Sequence, residues 1–118
     1  IYFQALQILG PNAVHVEHIL PLRPDQNFNW ENQLGANYNN LYPNHIHKIG
    51  NLTLLEAPLN ILISNSEYNR KRPFLRSSNI LQTSQLANLY NNFNYQIVSE
   101  RSNDIALTAL QIWPFIEP

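Results

Sequence analysis

Gly50-Asn51-Leu52-Thr53-Leu54-Leu55-Glu56-Ala57-Pro58-Leu59-Asn60 is a short apolar run framed by two asparagines nine positions apart. Leu52 to Leu55 reads as a strand. Pro58 suits the first turn of a following helix, where its missing N–H costs nothing. Leu59, Leu62 and Ile63 would give that helix a buried face, with Asn60 at its edge. Upstream, Val14-His15-Val16-Glu17-His18-Ile19-Leu20-Pro21 is the only other segment as dense in chemistry. Its valines alternate with His15 and Glu17, the period of a half-buried strand. We expect these two segments to meet and close one metal-dependent site.

Between them, Pro21 and Pro24 force an extended exit. Residues 22–43 read as a long loop, pinned to the core by Trp30, and Asn44 to Lys48 as one helical turn. Beyond Asn60, a helix is expected from Ser66 (as N-cap) to Lys71, ended by Pro73. Ser77 to Asn79 is a linker. Thr83 or Ser84 caps a helix through Leu86, Leu89, Tyr90 and Phe93. A closing helix from about Tyr95 to Trp113 carries Ile97, Val98, Ile105, Ala109 and Ile112 at helical spacing, and Pro114 stops it. At the other end, Tyr2 to Leu9 has helical rhythm and stops at Gly10-Pro11-Asn12.

The 118 residues suffice for one domain with one core. With 44% hydrophobic and 13% charged residues, the chain should fold. It has no cysteine, which excludes disulfides and thiolate zinc sites and fits a reducing compartment. No apolar run approaches a bilayer's thickness and no signal peptide opens the chain, so a cytoplasmic location is expected. Because it begins at Ile1, we expect a domain cut from a longer protein. The net charge of −1 counts mildly against nucleic-acid binding, yet four of the seven basic residues cluster at Arg70, Lys71, Arg72 and Arg76.

Glu17 and His18 are neighbours on a strand, so they point to opposite faces and should serve different targets. One division gives Glu17 to a metal and His18 to a substrate. A hard cation such as Mg²⁺ prefers oxygen ligands and keeps several waters, so a carboxylate plus the Asn60 amide oxygen suits it. An imidazole with an ordinary pKa of about 6.5 can take a proton from water. On spacing alone the bland alternatives stand beside this: adjacent Glu and His are common, and asparagine at a helix start is usually a cap.

His15 shares a face with Glu17 and either touches the metal or a phosphate or is a partly exposed strand residue. His47 either binds phosphate or caps a turn, and the structural role is preferred; His45 receives no role. The basic cluster either lies along a DNA backbone or is a solvated helix end. Asn65 either bonds a phosphate or caps the next helix. Arg101 is expected to pair structurally with Glu100, Asp104 or Glu56.

Glu17-His18-Ile19-Leu20-Pro21 resembles the signature that opens an HNH (ββα-metal) nuclease site. Asn51-Leu52-Thr53-Leu54-Leu55 resembles the start of its second strand, and Asn60 falls where its third letter lies. Gly50 to Leu55, Leu59-Asn60 and Ile63-Ser64-Asn65 are similar to the HNH domain at the C-terminus of GmrSD-type modification-dependent restriction enzymes. The pattern Ile97, Arg101, Ala106, Ala109, Leu110, Ile112 and Trp113 resembles that family's closing helix. Lys71 resembles a lysine that often follows Asn60 there, at a longer spacing than usual.

The resemblance implies an α+β, mostly helical fold. A ββα-metal core over about 13–72 has a long inter-strand loop, and an N-terminal helix and two C-terminal helices (about 80–113) brace it, all in one domain, 1–118. It implies a metal-dependent DNA endonuclease of a phage-defence system. His18 would be the general base, Asn51 the residue that holds its loop, and Glu17 and Asn60 the ligands of Mg²⁺ or Mn²⁺. His15, Asn65, Arg70, Lys71, Arg72 and Arg76 would contact DNA. Where zinc-binding relatives carry cysteines this chain has Glu56 and Leu59, so no structural zinc is expected. DNA and an NTPase or sensor domain, in the same or a partner chain, are the expected partners, with no membrane. The competing reading is a non-cleaving DNA- or partner-binding module on the same scaffold. A purely structural interaction domain is the third.

Overall fold

The computed structural model describes residues 13–114; the helix expected over Tyr2 to Leu9 lies outside them. Strand β1 (Val14–His18) pairs antiparallel with β2 (Leu52–Glu56), in a register that sets Glu17 opposite Thr53 and His18 opposite Leu52. The alternation in β1 is real, but its sense is the reverse of the hydropathy. Val16 is 56% exposed whereas Glu17 is 5% exposed, so the acidic face is the covered one. Leu55 and Thr53 are buried on the same face of the sheet.

The stretch read as a loop holds two helices, α1 (Trp30–Leu34) and α2 (Tyr38–His45). The Asn29 side chain caps α1 by accepting from the Asn32 N–H. Trp30 is buried, but its indole N–H donates to the Asp25 carbonyl at 2.7 Å inside the same segment, and it is not part of the main core cluster. A 3₁₀ turn (Ile49–Asn51) leads into β2, and α3 (Ala57–Ile63) follows with Pro58 in its first turn.

Helix α4 (Tyr68–Arg76) starts after Glu67 rather than at Ser66 and runs through Pro73. The ring costs one intrahelical bond, and Pro73 and Asn69 both lie on the exposed side, where water can serve the freed carbonyl. Helix α5 (Leu81–Leu89) takes Ile80 as its N-cap. Thr83, expected to cap it, is instead fully buried: its hydroxyl donates to the Leu54 carbonyl at 2.5 Å and meets the Thr53 hydroxyl at 2.7 Å. Those bonds seat α5 on β2. The closing helix α6 (Tyr95–Ile112) begins at Asn94, whose side chain accepts from the Ile97 N–H.

The fold is α+β and mostly helical, with a two-stranded sheet. One core joins Ile19 and Leu20 after β1, Leu55 of β2, Ile63 of α3, Tyr68 and Leu75 of α4, and Phe93 and Val98. Helix α6 packs on the 3₁₀ turn at Gly50. A methyl group there would run into the Val98 carbonyl and Ser102, so only glycine allows this approach. The Gly50 N–H donates to the Ser102 hydroxyl at 2.9 Å, and the Arg101 guanidinium donates to the Gly50 carbonyl. Of the three acidic residues named for Arg101, Glu56 accepts from the Ser78 hydroxyl and the Asn79 N–H.

Candidate active site

Two segments distant in sequence are joined by one buried side chain. Asn51 is fully buried. Its Oδ1 accepts from the Leu20 N–H at 2.7 Å, and its Nδ2 donates to the Leu20 and Ile46 carbonyls at 2.9 Å each. Its own carbonyl accepts from the Ile19 N–H at 2.9 Å. The chain just after His18 is therefore clamped to the start of β2. Asparagine fits this place because its amide is both donor and acceptor.

His18 ends β1, half-buried. Its imidazole is held below its ordinary pKa, first by burial and then by the nearby His47 and Lys71. The ring is thus kept neutral, with a nitrogen lone pair free to accept a proton. The His47 ring stands edge-on to it, with centroids 5.8 Å apart.

A cleft of about 210 Å³ opens beside these groups, lined by Val16, Glu17, His18, Pro21, Leu22, Asn60, Ser64 and Asn65. It brings together four of the residues singled out from sequence: Glu17, His18, Asn60 and Asn65. Asn60 is oriented by His15, whose Nδ1 lies 3.1 Å from the Asn60 Nδ2. That contact occupies the amide nitrogen and leaves the amide oxygen available. His15 therefore acts on Asn60.

Glu17 has a partner that the sequence reading missed. Lys71 of α4 is fully buried and its Nζ lies 3.5 Å from Glu17 Oε2. The ammonium also donates to the His18 and Ile19 carbonyls at 2.9 and 3.1 Å. Burial raises the Glu17 pKa and lowers that of Lys71, and each charge draws the other back toward ionisation. The expected role of Lys71 along a DNA backbone does not fit this position, because reaching a phosphate would abandon all three contacts. A signal was present: Tyr68, Lys71 and Leu75 are spaced three and four apart, so they share one helix face, and all three are buried.

The other cations divide. Arg72 donates to the Ala87 carbonyl and the Asn91 side chain, which ties α4 to α5 and to the turn after it. Arg70 and Arg76 are exposed, with the Arg70 guanidinium 5.3 Å from the centre of the Phe28 ring. Asn65 is exposed at the cleft, and its backbone carbonyl accepts from the Asp25 N–H.

A cation fits the donor set in one respect that the structure supplies. Glu17 Oε2 is buried, makes no hydrogen bond and has the Lys71 ammonium 3.5 Å away, so a hard cation, which favours such an oxygen, would share it with that ammonium. Among the described residues no group of three or more His, Cys, Asp or Glu side chains could hold a metal. A cation here would rest on Glu17, the Asn60 amide oxygen and water.

No curated protein and no solved structure matches this chain. Among the described residues, no helix is long and apolar enough to cross a membrane. The family model of the C-terminal domain of GmrSD restriction endonucleases matches residues 2–107, which takes in both strands, the Asn51 clamp, the cleft and most of α6. The chain belongs to that family of GmrSD restriction endonuclease C-terminal domains.

Proposed function

We propose that the cleft hydrolyses DNA phosphodiesters with a divalent cation, Mg²⁺ or Mn²⁺. The observation that carries this reading is the convergence of a neutral-held imidazole, a buried carboxylate and an oriented amide on one cleft. His18 accepts a proton from water as the water oxygen bonds to phosphorus. The phosphorus bond to the 3′ oxygen breaks, that oxygen takes up a proton, and the products are a 5′-phosphate and a 3′-hydroxyl. Glu17 and Asn60 would hold the cation, which supplies charge stabilisation at the phosphoryl oxygens. Asn51 fixes the loop behind His18. Lys71 holds the end of β1 through two carbonyls and steadies Glu17. Arg70 and Arg76 supply the exposed charge for sequence-independent backbone contact, in a phage-defence restriction system.

The second reading, a DNA- or partner-binding module that does not cut, draws on the Glu17–Lys71 pair, since an ammonium already balances that carboxylate. Supercoiled plasmid incubated with Mg²⁺, with Mn²⁺ and with EDTA separates the two. The nuclease reading expects nicked product with metal and none with EDTA. Retention of plasmid in a mobility shift without any nicking would support the binding module.

A further inference from the structure

The proposed reaction leaves one neighbouring imidazole without a task. His15 orients Asn60, and His45 bonds the Leu41 carbonyl and lies against Tyr95. His47 sits in the turn between α2 and the 3₁₀ turn and is exposed. Its ring nitrogens meet no hydrogen-bond partner among the described residues, so it caps nothing. Its ring stands edge-on to His18.

The spacing of the two rings is built from beneath. The Asn51 amide donates to the Leu20 carbonyl, two residues past His18, and to the Ile46 carbonyl, one residue before His47. One buried side chain therefore ties together the two backbone stretches that carry the imidazoles. An N–H···O bond places a phosphate oxygen about 4 Å from a ring centre. Rings 5.8 Å apart can thus both reach one tetrahedral phosphate. An imidazole donates an N–H whether neutral or protonated, so no particular charge state is needed.

We propose that His47 is a second phosphate-contacting residue, donating its ring N–H to a non-bridging oxygen of the scissile phosphodiester beside His18. The inference rests on the nuclease reading above. The donor would meet a non-bridging oxygen, where negative charge grows in the transition state, so its contribution belongs to the rate as well as to binding.

The test compares wild type, His47→Ala and His47→Asn, the last of which keeps an N–H donor. Plasmid nicking is measured with Mn²⁺, together with calorimetric Mn²⁺ affinity and the urea unfolding midpoint. Short duplex binding in Ca²⁺ is measured for His18→Ala with and without His47→Ala. The expected result is a loss of about 100-fold in kcat/KM for His47→Ala. His47→Asn should regain part of it, duplex binding should weaken in the double variant, and Mn²⁺ affinity and midpoint should not move. If His47→Ala nicks at the wild-type rate, His47 has no such role and the nuclease reading stands. If its activity falls together with the midpoint and the Mn²⁺ affinity, His47 is a structural turn residue and the proposal fails. If wild type nicks with neither metal, the nuclease reading fails and the proposal falls with it.

Discussion

Replacing Asn51 with alanine removes three hydrogen bonds made by one buried amide, to the Leu20 N–H, the Leu20 carbonyl and the Ile46 carbonyl. Each such bond contributes about 1 kcal/mol net, and each buried partner left unsatisfied costs about 1–3 kcal/mol. Water entering the vacated space would relieve some of this, so the expected loss is about 3–5 kcal/mol. Set against about 5–15 kcal/mol for a whole domain, that is a large share. Asn51→Asp is the sharper control. It keeps the acceptor for Leu20 N–H but presents carboxylate oxygen to two carbonyls, so it should be no more stable than the alanine variant. Urea unfolding followed by circular dichroism measures both. A loss below about 1 kcal/mol for Asn51→Ala would refute the clamp, because that is what a single exposed hydrogen bond contributes.

Lys71→Met leaves the Glu17 carboxylate buried without its counter-charge and should cost about 3–5 kcal/mol in urea unfolding. Adding Glu17→Gln should recover much of that loss, and strict additivity of the two changes would show the pair to be uncoupled. Gly50→Ala drives a methyl group against α6 and should cost about 1–3 kcal/mol by overpacking; an unchanged midpoint would contradict the close approach. The His18 pKa is lower in the folded protein than in the unfolded chain, so the contribution of the neutral ring is present above about 6.5 and lost as pH falls through the folded value. The stability advantage of wild type over His18→Ala, measured in EDTA, should therefore shrink from about pH 7 toward pH 5. A difference independent of pH would show that the ring is not held neutral.

The parts legible in the sequence were those set by local chemistry. Leu52 to Leu55 followed by Pro58 gave a strand and then a helix start, and the rhythm after Tyr95 gave α6 to within a residue. Long-range polar partners were harder to see. Arg70, Lys71 and Arg72 look like one basic patch in sequence, yet successive helical residues point about 100° apart. Lys71 therefore turns to the core while Arg70 faces water. Val16 exposed and Glu17 buried invert the usual sense of a strand's alternation, because Lys71 and the Thr53–Thr83 contact make that face habitable for polar groups. The nearness of His47 to His18 has no local signature at all. It depends on Asn51 reaching Leu20 and Ile46 together, across 31 and 5 positions. Pro73 stopped the sequence reading of α4, whereas in the fold its missing N–H falls on the wet side of the helix.

The central claim is that His18 takes the proton from the attacking water. The measurement that tests it most directly is single-turnover nicking by wild type and His18→Ala at the same saturating Mn²⁺, with circular dichroism confirming that both are folded. His18→Ala should lose about 100- to 10,000-fold, the range that general base catalysis supplies. Cleavage by the folded variant at the wild-type rate would contradict it.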